Sequence, residues 1–506
     1  MSRSLSIQTP IDLNLTSSCR VPAPLFNGVA RMNEVSISDN RNKPLVVLSG
    51  PGLSIVVASL GTSMVAVTLP ELSEYFQGQD LSPTLVVSVY ILATTALIIP
   101  VGRAGDLFGK RTVLFCSLCL YILGAFLAFE APTLPMLIAG RFIQGTGAAG
   151  MMAMPLAMVR DLVPSGQVGR WMGAIGTMSA IGTAAGPAVG GAIVAAFGWR
   201  AVYLMQIPLA LAALALCLLF IQNQKPETRR QGIDFPGAGA LVLFLMAVTF
   251  LVSHMANGLD GATVLLAAIA CGAIVAFFLI EKRTTSPIIP LDLLRSGHLQ
   301  VSLAMNGIVS LVMMGILVVG PFFLTGGLGL TTAQMGLTMS VGPISSALSG
   351  IPAGRLTERI GAGRAVLVGA SAMVIATAMM AGLPYVFGLG GFILAFMLLA
   401  PGYQVFLAAL NTSVMERASE QNRGVTSGVL SLSRNFGFIL GAGAVSAIFW
   451  SFVRADIGTV EGGQQTALAM AGTFAFCCAL TLGVAVLASR LHRDRNNIPQ
   501  YENGHS

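Results

Sequence analysis

Long apolar runs are the feature that most limits what this chain can fold into. Fourteen runs of roughly 18 to 25 residues occur, the length that an α-helix needs to cross ~30 Å of hydrocarbon. A backbone buried in lipid must satisfy its hydrogen bonds within one segment, so the runs predict helices. Only 10% of the 506 residues are charged, against about 25% in soluble domains. We therefore expect an all-α membrane protein whose spans lie near residues 47–69, 84–103, 112–130, 135–159, 171–196, 201–221, 235–254, 262–280, 299–324, 333–353, 364–384, 388–414, 424–450 and 466–489.

The placement of Lys and Arg predicts the orientation of these spans. If the termini and every second connection share one side, the other side receives only Arg200 and Arg454. Because basic residues concentrate in cytoplasmic loops, we expect a multi-pass protein of the cytoplasmic (inner) membrane with both termini in the cytoplasm. The net charge of +7 then reflects topology and attraction to anionic lipids, and it requires no nucleic-acid partner.

Polar stretches between the runs predict the domain boundaries. Met32 is a second candidate start, so we assign no function to the residues before it. The predicted segments are a disordered cytoplasmic tail (1–43), a six-helix bundle (44–222), a linker with two extra spans (223–298), a second six-helix bundle (299–490) and a cytoplasmic tail (491–506).

An internal repeat supports two related bundles. The stretch "GRAGDLFGKR" at 102–111 ends the second run, and "GRLTERIGAGR" at 354–364 ends the tenth. Parallel repeats of this kind are typical of transporters whose solute site lies between the halves. The matched pairs are Gly102 with Gly354, Arg103 with Arg355, Asp106 with Glu358, and Gly109 with Gly361.

Residues typical of enzymes and metal sites are scattered. Cys116 and Cys119 form a CxxC pair inside an apolar run, where thiols behave as small hydrophobic groups, although a redox or metal role is the alternative. The four histidines form no metal set or catalytic triad, and no phosphate-binding G-x-x-x-x-G-K-[ST] loop occurs. We expect no enzyme activity, no cofactor, no metal and no ATP-driven step.

Five motifs, in order and at the expected helix ends, resemble those of the major facilitator superfamily, in particular its fourteen-helix drug:proton antiporters. The resemblance covers about residues 44–490. "WRAVYLMQIP" resembles the sixth-helix entry, with Gln206 where Asn is usual, and "SRNFGFILG" resembles a thirteenth-helix segment. The other matches are Gly102, Asp106, Gly109, Lys110 and Arg111 in the first motif, Arg141 and Gly145 in the fourth helix, and Gly182, Gly186, Pro187, Gly190 and Gly191 in the fifth.

The resemblance implies roles for two of these motifs. In the family the first motif locks the outward-open state, a role carried here by Gly102, Arg103, Asp106, Gly109, Lys110 and Arg111, with Arg355 and Glu358 in the second copy. The alternative is a plain topology signal. The fifth-helix glycines recur every four residues and permit close helix contact, so they predict either tight packing or a bendable interface linked to antiport.

Two arginines lie inside apolar runs that contain no deep acid. Arg141 is about six residues into the fourth run, and Arg434 about eleven into the thirteenth. An arginine at a helix centre costs roughly 2.5–3.5 kcal/mol on insertion scales, so it usually faces a cavity. The alternative is that both only donate to carbonyls or helix ends. Drug antiporters commonly carry Asp and Asn in the first helix where this chain has Gly61 and Ala66.

These observations predict a secondary transporter for a small neutral or anionic solute in the lipid bilayer, coupled to protons or another ion and working as a monomer. Export by antiport ranks first because the fifth-helix motif is intact. The missing first-helix acid favours the alternative, uptake of a neutral aromatic nutrient such as the vitamin riboflavin. A receptor or scaffold without transport is a third possibility. The cavity candidates are Arg141, Gln144, Asn306, Tyr403, Gln404, Asn411, Arg434 and Asn435.

Overall fold

Helices account for nearly all of the chain that the structure, a computed structural model, describes. The described residues are 43–77, 81–162, 168–221, 234–254, 260–284, 288–289, 291–418, 423–453 and 460–496. Most of the two predicted tails falls outside them, but Lys43 begins a helix and residues 491–496 end one, so the helical part of the chain extends past the predicted start of the C-terminal tail. The helices are α1 (Lys43–Ala66), α2 (Leu69–Tyr75), α3 (Leu85–Phe108), α4 (Lys110–Phe129), α5 (Leu134–Leu162), α6 (Val168–Phe197), α7 (Trp199–Phe220), α8 (Phe235–His254), α9 (Gly261–Glu281), α10 (Gly297–Phe322), α11 (Thr332–Ile360), α12 (Ala362–Arg417), α13 (Arg423–Leu440), α14 (Ser446–Phe452) and α15 (Val460–Asn496). Two π-helical segments, Phe323–Gly327 and Gly441–Val445, extend α10 and join α13 to α14.

Twelve helical stretches within the described ranges are long and apolar enough to cross a membrane. One of them, α12, is 56 residues long and is interrupted at Gly388, whose φ of 53° and ψ of −126° are non-helical. The predicted spans 364–384 and 388–414 meet at that residue. The 29-residue helix α11, which contains Pro343 and Pro352, is not among the twelve. The all-helical membrane fold is confirmed, and the count of fourteen spans stays a prediction.

The helices pack in two groups with a helix pair between them in sequence. In the first helix group, α4 and α3 pack on α5, and α7 packs on α4. In the second helix group, α15 and α11 pack on α12, and α13 packs on α10. The groups meet where α6 lies along α11 and α3 lies along α13. Helices α8 and α9 pack on each other, and α8 also contacts α3 and α13, one helix from each group.

The internal repeat predicted from the sequence has a matching backbone. Gly109 is the single residue between α3 and α4, and Gly361 is the single residue between α11 and α12. Their φ and ψ angles are 90° and 132° at Gly109 and 83° and 147° at Gly361. An L-residue with a side chain rarely adopts a positive φ, so both copies need glycine at the same place. The two motif copies therefore end their helices in the same way, on what we call the motif face of the membrane.

Candidate functional site

Arg141 lies completely inside the first helix group. Its side chain is 0% exposed, and its guanidinium donates to Val86 O at 3.0 Å, to Gln144 Oε1 at 2.5 Å and to Gly61 O at 3.3 Å. The ring of Tyr90 lies 4.1 Å below the guanidinium carbon, in a cation–π contact. A buried charge is tolerated only when its donors are satisfied. Each of the three guanidinium nitrogens has an acceptor, and the acceptors lie on three different helices.

Gln144 extends these contacts to two further helices. Its Nε2 donates to Gln206 Oε1 at 2.9 Å, and the Tyr121 hydroxyl lies 2.6 Å from the same oxygen. Gln206 Nε2 in turn donates to Val202 O at 2.9 Å. We call Arg141, Gln144, Tyr121 and Gln206 the Arg141 network. It joins α4, α5 and α7, with Gly61 of α1 and Val86 of α3 as acceptors for Arg141.

The packing around Gly61 gives a steric reason why this position of the first helix carries no acid. A Cβ atom at position 61 would collide with the Tyr121 hydroxyl and would stand 2.9 Å from Gln206 Oε1. Real Cβ atoms are not found that close to other heavy atoms, so a carboxylate could not be accommodated without rebuilding the network. The sequence noted the missing acid, and the structure adds the steric reason.

Arg434 has the opposite surroundings. It lines a cavity of about 320 Å³ in the second helix group, which we call the Arg434 cavity. Helices α10, α12 and α13 supply its walls. The lining residues are Asn306, Leu407, Asn411, Met415, Ser427, Leu430, Ser431 and Arg434.

Packing of α13 on α10 positions the Arg434 side chain. Ser433 Oγ donates to Leu303 O at 2.6 Å, and Gly437 and Gly441 allow their helix to approach Gly307 and Leu311. Ser433 and Gly437 of α13 and Gly441, the first residue of the π-helical segment that follows, recur every four residues and therefore face α10 together. Arg434, the next residue after Ser433, is turned toward the cavity instead.

The polar groups of the Arg434 cavity leave hydrogen-bonding capacity for a ligand. Asn306 Nδ2 donates to Leu430 O at 2.8 Å, while Asn306 Oδ1 is buried without a partner. Within the described part of the chain, the Arg434 guanidinium and the Asn411 amide also make no hydrogen bond. A guanidinium offers five donors in a fixed plane, so the cavity presents several donors and one orphaned acceptor.

The predicted cavity residues thus divide between two places. Asn306, Asn411 and Arg434 meet in the Arg434 cavity, whereas Arg141 and Gln144 belong to the closed network. Tyr403 and Gln404 lie on α12 about two turns before Asn411, and Gln404 Nε2 donates to Ser346 O at 3.4 Å. Asn435 is half-buried beside Arg434. Their predicted role in binding a solute stays a prediction.

The first-motif residues lie at the ends of α3 and α4 on the motif face. Asp106 is exposed, and Arg111 Nη2 donates to Leu218 O of α7 at 3.1 Å, which ties the turn to the first group. In the second copy, Arg355 and Glu358 are exposed on α11. A Cβ atom added at Gly102 or Gly354, the first glycines of the two copies, would meet no neighbouring atom within 4 Å.

The fifth-helix glycines face two different neighbours. Gly182, Gly186 and Gly190 pack on α1, against Val56, Ser63 and Met64 of the same group. Gly191 instead approaches α11, where its Cβ position is 2.8 Å from the Gly336 Cα atom. The three-residue groove is thus packing within one group, and the contact between groups is made by Gly191.

Sequence reasoning missed part of each site. Tyr90, Tyr121 and Tyr203 surround the arginine in the first group, with the Tyr203 ring centroid 6.0 Å from the guanidinium carbon. Ser427 and Ser431 line the cavity in the second. The signal for the serines was available: both share a face of α13 with Arg434, at spacings of seven and three residues. Within the described residues, no group of three His, Cys, Asp or Glu side chains could hold a metal.

Comparison with known proteins places the chain in a family. The model of the Major Facilitator Superfamily matches residues 52–442. The uncharacterized transporter YebQ of Escherichia coli is 26% identical over 453 residues, which are 88% of this chain and 97% of YebQ. The riboflavin transporter RibZ of Clostridioides difficile is 26% identical over 400 residues, 78% of this chain and 86% of RibZ.

A resistance protein and a solved structure are similar as well. The multidrug resistance protein Stp of Mycobacterium tuberculosis is 26% identical over 427 residues, 82% of this chain and 77% of Stp. The crystal structure of the POT family transporter PepTSo superposes with a TM-score of 0.62 at 14% identity, over 90% of this chain and 99% of that one. Because the family model covers most of the chain and the fold agrees, the protein belongs to the Major Facilitator Superfamily and is a transporter rather than an enzyme.

Proposed function

We propose that this protein is a secondary transporter that carries a small organic solute, neutral or anionic, through the cytoplasmic membrane by alternating access. In this proposal it has fourteen spans arranged as two six-helix bundles with α8 and α9 inserted between them, and both termini face the cytoplasm. The observation that carries the proposal is the Arg434 cavity, which sets unused donors beside a polar-lined space of about 320 Å³.

The charge of the cavity argues for the class of solute. A guanidinium with no acceptor among the described residues repels a lipophilic cation and attracts an anion or a polar acceptor such as a carbonyl. None of the described residues that line the cavity is a carboxylate that could compensate for it. Asn306 Oδ1 adds an acceptor, so a solute that carries a donor next to an anionic or carbonyl group fits best.

Two observations at opposite ends of the helices support an alternating-access cycle. Gly191 and Gly336 bring α6 and α11 together toward the end opposite the motif face, whereas Gly102 and Gly354 on the motif face have open space around them. This difference fits a conformation that is open toward the motif face. The exposed Asp106 would then close the other conformation, in the role that the family resemblance assigns to it.

Export in exchange for an ion is our first choice of direction. The intact fifth-helix motif and the similarity to the multidrug resistance protein Stp favour export. Uptake of a neutral aromatic nutrient is the second candidate, because the similarity to the riboflavin transporter RibZ is of equal strength and Gly61 leaves no first-helix acid. Protons or another ion would drive either direction.

Flux into proteoliposomes tests the proposal. Purified protein is reconstituted, a pH gradient of either sign is imposed, and the movement of riboflavin and of a panel of aromatic carboxylates and lipophilic cations is followed. We expect movement of at least one neutral or anionic compound that is lost in Arg434→Gln and kept in Arg359→Gln, an exposed arginine of the motif face. Transport confined to the cations, or equal flux in both variants, would contradict it.

A further inference from the structure

Two buried acids lie at the base of the inserted helix pair. Within the described residues, Asp234 and Glu281 are the only acids in the buried class, with 9% and 3% of their surface exposed. Asp234 precedes the first turn of α8, and Glu281 is the last residue of α9. Because α8 and α9 are consecutive and pack on each other, the start of the first lies beside the end of the second. The charge of Asp234 accordingly acts on Glu281.

Each of these carboxyl groups uses one oxygen and leaves the other unused. Asp234 Oδ1 accepts from the Gly237 backbone N–H at 2.9 Å, and Glu281 Oε1 accepts from that of Ile288 at 3.1 Å. Asp234 Oδ2 and Glu281 Oε2 are buried and have no hydrogen-bond partner. A buried acceptor without a donor costs about 1–3 kcal/mol, and more if it is charged. Both oxygens lie at the base of the same helix pair and lack a donor.

We propose that Asp234 and Glu281 form a proton-binding site in which one proton is held between the two carboxyl groups. Two neighbouring carboxylates out of reach of water cannot both be ionised at low cost, and a proton on one of them supplies the missing donor to the other. This site goes beyond the proposed solute pathway, because neither acid lines the Arg434 cavity.

The charged groups nearby that the structure describes do not replace the proton. Lys282 and Arg283 follow Glu281 but are exposed. Asp292 and Arg295, in the turn before α10, pair with each other at 3.1 Å and are exposed as well. The helices packed on α8 carry Arg103 and Asp106 on α3 and Arg434 on α13. All hydrogen bonds that the two acids make in the described structure come from backbone N–H groups.

The position of the two acids suggests how protonation could affect transport. Helix α8 contacts α3 in the first group and α13 in the second, so it touches both bodies that would move in an alternating-access cycle. A gain or loss of charge at the base of α8 therefore acts beside the junction of the two groups. The first helix lacks the usual acid, and this pair offers a different place for a proton.

Infrared difference spectroscopy of the full-length protein in lipid nanodiscs measures the proton directly. The band of a protonated carboxyl group is followed as the pH is raised, in the wild type and in Asp234→Asn and Glu281→Gln. We expect the wild type to keep the band to a higher pH than either variant, with each variant losing it about one unit or more lower, because the neighbouring charge is gone. Asp292→Asn, which alters an exposed acid, is the control and should titrate like the wild type.

Thermal unfolding provides a second measurement that does not depend on assigning a band. The proton is bound in the folded state more tightly than in the unfolded state, so wild-type stability should fall as the pH rises through the titration of the pair. Glu281→Gln supplies a permanent amide donor and should lose less stability over that range. A wild type with no carboxyl band at neutral or mildly acidic pH overturns the proposal. A carboxyl band that neither variant shifts also overturns the proposal. So does the loss of the band when Na⁺, K⁺, Mg²⁺ or Ca²⁺ is added, if the same cation stabilises the protein.

Discussion

The two membrane arginines have the same side chain and opposite surroundings. Arg141 is enclosed by α1, α3 and α5 and uses its nitrogens on two carbonyls and an amide. Arg434 stands in a cavity of about 320 Å³ with no acceptor among the described residues. An arginine buried in hydrocarbon must be compensated, and the first group does so with protein atoms. The second group leaves that task to whatever enters the cavity.

The role of a charged residue therefore cannot be inferred from its depth in the membrane alone. Arg141 acts as a structural centre because protein groups accept from each of its three nitrogens, and Gly61 makes room for the neighbouring Tyr121 hydroxyl. Arg434 keeps its donors because the glycines and Ser433 on the same helix make the contacts with α10. We therefore propose a stabilising role for Arg141 and a solute-binding role for Arg434.

The largest expected effect is on stability and separates the two arginines. Arg141→Ala leaves Gln144 Oε1 without its donor and empties a fully buried space, so we expect a loss of about 3–5 kcal/mol in the free energy of unfolding. Arg434→Ala should cost less than about 1 kcal/mol, because its guanidinium makes no hydrogen bond to lose. Thermal unfolding in detergent measures both. Equal losses would remove the distinction.

The next effect concerns the fit of Gly61 against Tyr121. Gly61→Ala places a methyl group on the Tyr121 hydroxyl, and we expect it to destabilise the protein by about 1–3 kcal/mol. In a Tyr121→Phe background the hydroxyl is absent, so the same change should cost less. The double-mutant cycle should give a coupling of about 1 kcal/mol. Additive costs would mean that position 61 is not packed against this ring.

A smaller effect is expected from one polar wall of the Arg434 cavity. Asn411→Ala removes an amide that faces the cavity, and a hydrogen bond to a solute is worth about 0.5–1.5 kcal/mol, so KM should rise about two- to tenfold. Stability should not change. Thr412→Ala, on an exposed position next to it, is the matched control for the flux assay. An unchanged KM in Asn411→Ala would exclude this wall from solute contact.

The smallest effect is expected at Glu71 in α2 and tests whether the first group is also tightly packed at that end of its helices. Burial raises the pKa of Glu71 in α2, although a hydrogen bond from the Trp199 backbone opposes the rise. A carboxyl group with a raised pKa stabilises the fold most at low pH, and that contribution declines as the pH rises through its titration. The melting temperature of the wild type, relative to Glu71→Gln, should therefore fall between acidic and neutral pH. A wild type whose melting temperature shows no such trend relative to Glu71→Gln would contradict this expectation.

Local rules account for what the sequence predicted correctly. Span length predicted the helices, and the repeated motif predicted that Gly109 and Gly361 would end helices in the same way. Asn306, Asn411 and Arg434, three of the predicted polar residues, line one cavity, and their role in binding a solute stays a prediction. These inferences use spacing within one helix or a repeat, which a sequence displays directly.

Contacts between distant helices account for what the sequence could not reveal. The closure around Arg141 depends on Gln206 and Tyr121, which are 65 and 20 residues away along the chain. The neighbour of each fifth-helix glycine likewise depends on how α6 is rotated against α1 and α11. Only the packed structure determines which of two similar arginines is enclosed and which remains open.

Cysteine labelling tests the central contrast without knowledge of the solute. In a variant free of native cysteines, Ser431→Cys places a thiol in the Arg434 cavity, and Ser88→Cys places one in α3, two residues from the Val86 carbonyl that binds Arg141. Both are one-atom substitutions. Membrane vesicles are treated with a water-soluble maleimide on the motif face. We expect rapid labelling at position 431 and little at position 88, and equal or reversed labelling would contradict the assignment of the open site to the second group.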